Sequence, residues 1–119
     1  SGISVGSPLL YRKMVVGSVS GVALARDGSE VLIEVNIDRN YAHLVRANSR
    51  FWNVSGVKAD IGLTGGTIEV ETVQSLLAGG IAFNTPEREM GPTVKAGHSY
   101  PLHGKAEKEW LEWSPRIQP

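Results

Sequence analysis

The 119-residue chain contains no cysteine, carries no net charge, and has no apolar run approaching the length of a membrane-spanning helix. Each absence removes a class of function. Without cysteine there is no thiol catalysis, no disulfide framework and no cysteine-based zinc site, although a cysteine-free chain suits any redox compartment. Twelve Lys and Arg against twelve Asp and Glu leave no long-range field to gather phosphate backbones, which argues against nucleic acid as a partner. The N-terminus Ser1-Gly2-Ile3-Ser4 lacks the basic start and apolar h-region of a signal peptide. A soluble chain or a portion of a larger protein is therefore expected. The length suits one domain with its own core, not two.

Catalytic spacing is missing as well. His43, His98 and His103 do not form H-E-x-x-H and are accompanied by no carboxylate cluster, so each reads as a surface or turn residue. Ser55 and Ser75 lie beside glycines but in no G-x-S-x-G elbow. Gly62-Leu63-Thr64-Gly65-Gly66 lacks the lysine of a phosphate-binding loop and reads as a turn. Glu69 and Glu71 share the outward face of one strand, and Glu87 and Glu89 flank Arg88 in a charged loop, so solvation accounts for both pairs. Phe51 and Trp52 beside Arg50 imitate a nucleic-acid stacking platform, but a single basic neighbour favours core or subunit contact. No catalytic residue, metal ligand or cofactor site is assigned, and no enzyme activity is expected.

What the chain does contain is the punctuation of an all-β domain: fourteen glycines and six prolines, scattered and not clustered. The clearest strand is 31–38, with Val31, Ile33, Val35 and Ile37 on one face and Glu34, Asn36 and Asp38 on the other. Asp27-Gly28 supplies a turn before it, so residues 14–38 read as a hairpin. Tyr41, Leu44 and Val45 at i, i+3 and i+4 predict a short helix within 41–46. Strands are expected at 51–54, 67–73, 81–83 and 99–102, with a loop over 84–97. Their sum is a small β-barrel over 1–104, followed by a C-terminal extension, 105–119, in which Trp110 and Trp113 share a face if the segment is helical.

One connection does not suit a surface loop. From Ser75 through Thr85 there is no charge, and Leu76, Leu77, Ala78, Ile81, Ala82 and Phe83 are interrupted only by Gly79 and Gly80. Leu76 and Leu77 either fold back to plug the barrel or form an exposed apolar loop for an interface or a lipid. Exposing a leucine forgoes about 1.5–3 kcal/mol, a cost that association or ligand binding would recover.

Taken together, Gly6-Ser7-Pro8-Leu9-Leu10-Tyr11-Arg12 with Val16-Gly17-Ser18-Val19, Leu44-Val45, Phe51-Trp52-Asn53-Val54-Ser55-Gly56 and 75–83 resemble the MCE (mammalian cell entry) domain. The last two stretches resemble its paraquat-inducible protein B and YebT branch. Glu109-Trp110-Leu111-Glu112-Trp113-Ser114-Pro115 is similar to the end of a late or last repeat of such proteins. The resemblance implies a seven-stranded barrel that assembles into homohexameric rings, stacked as a tunnel for phospholipid across the periplasm. It also implies an inner-membrane anchor elsewhere in the full protein and leaves room for inner-membrane partner proteins. The positions matching the family's pore-lining loop are Leu76 and Leu77, with Val73, Ile81 and Phe83 beside them. The competing reading is a structural module whose Leu76-Leu77 loop docks a protein partner or a neighbouring domain.

Overall fold

In the computed structural model, residues 2–54 and 79–119 are described. Six strands lie among them: β1 (Pro8–Tyr11), β2 (Met14–Leu24), β3 (Val31–Ile37), β4 (Arg50–Asn53), β5 (Ile81–Asn84) and β6 (Leu102–His103). They form one curled sheet in the order β3-β2-β1-β5-β4-β6. The seven strands implied by the resemblance thus become six among the described residues; the strand expected at 67–73 and the turn at 62–66 lie outside them.

The central strands β1 and β5 run parallel, pairing Leu9 with Ile81, Leu10 with Ala82 and Tyr11 with Phe83. Every residue of both is buried. Alternation is invisible in such strands because each face has its own apolar cover. Leu9, Tyr11, Ile81 and Phe83 join Val16, Val19, Val45 and Phe51 in the inner core. Phe83 stacks on Phe51 at 5.1 Å between ring centroids, and Tyr100 closes on the other side of Phe51 at 4.6 Å. The opposite face carries Leu10, Trp52, Val54 and Ala82, and the C-terminal extension covers it.

Strand β3 pairs antiparallel with β2 as the hairpin pattern predicts. Its turn is wider than a two-residue Asp-Gly loop: the Ala25 N–H donates to the Glu30 carbonyl, the Gly28 N–H donates to the Ala25 carbonyl, and only Gly28 takes positive φ. Asp27 holds this turn by accepting hydrogen bonds from the Ser29 N–H and hydroxyl, which lower its carboxyl pKa. Burial along the hairpin fades toward that turn. Ile33, Val35 and Ile37 pack on the core, whereas Val31, expected on the buried face, is 60% exposed. Gly17 is required where β2 meets β3, since a Cβ there would run into the Asn36 carbonyl.

The turn between β1 and β2 is tighter. Tyr11 pairs with Met14, so Arg12 and Lys13 form a two-residue loop with φ of 52° and 69°. Positive φ at both positions is the type I′ geometry that favours Asn-Gly, and a side chain there costs about 1 kcal/mol or more per residue.

The predicted helix is a 3-10 helix, Arg39–Leu44, beginning and ending two residues earlier than expected. Tyr41 and Leu44, three apart, eclipse on such a helix and pack together on the core. The loop expected at 84–97 starts one residue later, since Asn84 belongs to β5, and it is tied back by the Ala47 N–H donating to the Pro92 carbonyl and by an Arg46–Thr93 bridge. The strand expected at 99–102 is displaced to the two residues of β6, which run parallel to β4.

A short helix α1 (Lys108–Glu112) forms in the extension. Trp110 is 5% exposed against Trp52, and Trp113 packs beside it. The face expected of Trp110 and Trp113 is therefore a docking face on the barrel.

Candidate functional site

The uncharged segment enters the described structure at Gly79, two residues before β5, a strand whose residues are all buried. Strands β4 and β5 are antiparallel, pairing Asn53 with Ile81, and the Val54 N–H donates to the Gly80 carbonyl at 3.0 Å. Residues 54 and 79, which bracket the undescribed stretch, therefore belong to one closed neck. Gly79 takes φ +115°, and a Cβ on it would meet the Gly2 backbone at 2.7 Å. Gly80 lies against Pro8 and the Val54 side chain. Two glycines let three chain segments approach closely at this point.

Leu76, Leu77 and Val73 lie outside the described residues. Ile81 and Phe83 are 3% and 1% exposed, and in this chain both side chains fill the inner core. Ala82, between them, faces Trp52 and Leu10 on the other side. The candidate site thus separates into a buried base, 79–85, and the leucine pair that it carries.

Beyond Phe83 the base is fixed by polar contacts. Thr85 is fully buried: its hydroxyl donates to the Leu44 carbonyl at 2.7 Å and lies 2.7 Å from the Ser49 hydroxyl. The Ser49 oxygen in turn accepts the Arg46 N–H. One hydrogen per hydroxyl then orders the chain Arg46 N–H to Ser49 to Thr85 to Leu44 carbonyl. Asn84 uses both amide hydrogens on the extension, donating to the carbonyls of Trp110 and Trp113 at 2.9 Å each, while its Oδ1 accepts the Thr85 N–H. Sequence reading missed Asn84. A polar residue closing an apolar run was the available signal.

The histidines do not converge. His43 lies in the last turn of the 3-10 helix, His98 lies on Tyr100 at 4.8 Å, and His103 meets the Trp110 ring edge-on at 4.7 Å. Among the described residues no group of three His, Cys, Asp or Glu could hold a metal ion. Phe51 and Trp52 are buried, so they form no open stacking platform, and the Arg50 guanidinium sits 5.8 Å from the Trp110 ring centroid. No described helix is long and apolar enough to cross a membrane.

A lipophilic envelope-spanning tunnel protein B of Escherichia coli (strain K12) is 40% identical over 116 residues, covering 97% of this chain and 13% of that protein. A probable intermembrane transport protein of Haemophilus influenzae (strain ATCC 51907 / DSM 11121 / KW20 / Rd) is 38% identical over 112 residues, covering 93% of this chain and 13% of that protein. The chain therefore spans about an eighth of the length of these relatives. The family model described as MlaD protein matches residues 1–80, from the first strand through the neck at Gly79-Gly80. The chain belongs to the MlaD family, the MCE-domain family that its sequence resembles.

Proposed function

We propose that this chain is a non-catalytic lipid-transport module, one domain of a periplasmic protein anchored in the inner membrane. Its copies close into a homohexameric ring, and stacked rings enclose an apolar path for phospholipid between the two membranes. The observation that carries the reading is the charge-free segment Ser75–Thr85, whose leucines stand on a base fixed by the inner core and by Asn84 and Thr85. Ile81 and Phe83 anchor that base in the single chain, so Leu76, Leu77 and Val73 are the side chains offered to lipid. The relatives, an envelope-spanning tunnel protein and an intermembrane transport protein, support the same direction.

Transport of this kind needs no bond-making. Around a six-fold axis each loop leucine recurs six times, and each acyl methylene taken from water gains about 0.8 kcal/mol. A repeated, weakly binding lining holds a chain and lets it advance. The deciding experiment places a photo-crosslinking residue at position 77 of the full-length assembly in cells. Captured phospholipid is expected; capture of protein alone would replace lipid by a docked partner or neighbouring domain.

A further inference from the structure

The β1–β2 turn contains a costly arrangement that the fold does not use. Arg12 and Lys13 occupy the two positive-φ positions of a type I′ loop, where Asn-Gly fits without strain. Both side chains are exposed, and among the described residues neither has a hydrogen-bond or ion-pair partner. Apart from the pull of the Arg12 guanidinium on the Tyr11 phenol, nothing among the described residues offsets the strain, and retained strain of this kind marks side chains with a use outside the fold.

A two-residue loop projects its side chains side by side at the hairpin tip. Here that places a planar guanidinium, suited to gripping a phosphate with two hydrogen bonds, next to an ammonium point charge. The adjoining strand residues Met14 and Val15 are 66% and 45% exposed. Cations flanked by exposed aliphatic groups fit the boundary between lipid headgroups and acyl chains better than they fit a free anion or an acidic protein surface. The zero net charge of the chain adds no distant attraction, so a single tip binds weakly and is best read at low salt.

We propose that the Arg12-Lys13 tip, with Met14 and Val15, is a contact site for phosphate-bearing anionic lipid headgroups at a membrane surface. The proposal does not rest on the lipid path assigned to Leu76 and Leu77. The test is sedimentation of the 119-residue chain at low salt with phosphatidylcholine vesicles, with and without phosphatidylglycerol. Partitioning that requires phosphatidylglycerol is expected. Replacing Arg12→Asn together with Lys13→Gly should lower it about 30-fold, near fivefold per cation. The same change should raise the thermal midpoint by about 4–8 °C through relief of strain. Arg12→Gln with Lys13→Gln should lose binding equally without the rise. Unchanged partitioning in these variants, a lowered midpoint for the Asn-Gly variant, or a wild-type chain that ignores anionic vesicles while its Arg12 and Lys13 NMR signals respond to inorganic phosphate would each overturn the proposal.

Discussion

At the scale of single residues, the most informative positions are buried polar ones, because an unpaired donor or acceptor in the interior costs more than a typical hydrogen bond contributes. Thr85→Val keeps the volume near that of threonine but strands the Ser49 hydroxyl and the Leu44 carbonyl, both of which Thr85 serves. A loss of about 1–3 kcal/mol in denaturant unfolding is expected. Tyr11 and Tyr100 carry a different consequence. Burial pushes both phenols up, at Tyr11 against the opposing pull of the Arg12 guanidinium. Folding therefore favours the neutral phenol, so this contribution is intact below about pH 10 and is lost as pH rises through the folded-state values. Stability measured from pH 8 to 11 should be flat at first and then fall, and Tyr100→Phe should make the fall shallower.

At the scale of elements, the C-terminal extension packs on the sheet as an integral piece of the domain. Its helix is too short to persist alone, and it is held by Trp110 on Trp52, by two hydrogen bonds from Asn84, by His103 and Arg50 against the Trp110 ring and by the Ser114 N–H donating to Glu87. Trp110→Ala is expected to cost about 3–5 kcal/mol, and Asn84→Ala should release the extension to proteolysis. Cleavage after Lys105 or Lys108 no faster than in the unsubstituted chain would show that the extension is held by other contacts. The sequence predicted this element unevenly, and for a physical reason. Trp110 and Trp113 at i and i+3 announced a shared apolar face, but no local pattern says which surface receives it. That surface, Leu10, Trp52 and Ala82, comes from strands far apart in the chain. The same limit explains the other differences. Strand β3 was legible because only one of its faces packs, partly buried, on the core, whereas β1, Pro8-Leu9-Leu10-Tyr11, is covered on both and shows no alternation. The 3-10 helix was legible as helical from Tyr41 and Leu44, while its tighter pitch was not. The uncharged stretch at 75–85 was visible as a composition anomaly, but the division between the core residues Ile81 and Phe83 and the leucines before them required the sheet.

At the scale of the whole molecule, the proposed ring raises the issue of what a domain of this size has left for association. Within the described residues, its two apolar clusters are already consumed in folding the single chain. What remains for association includes the outer part of the β2–β3 hairpin, where Val22, Leu24, Val31 and Leu32 are 44–65% exposed. Contacts of that extent bind weakly once lost translational and rotational freedom is counted. The relatives are far longer than this chain, and in a protein with linked ring-forming domains, closure of one ring raises the effective concentration for the next without any new contact. The isolated chain is therefore expected to be largely monomeric at micromolar concentration in light scattering, with higher species appearing only as concentration rises. Leu24→Asp should suppress those species while leaving the unfolding midpoint nearly unchanged, since that side chain is 65% exposed and outside both cores. A tight hexamer at micromolar concentration would mean that a single ring needs no help from linked copies, and unchanged association in the Leu24→Asp chain would move the interface away from the hairpin.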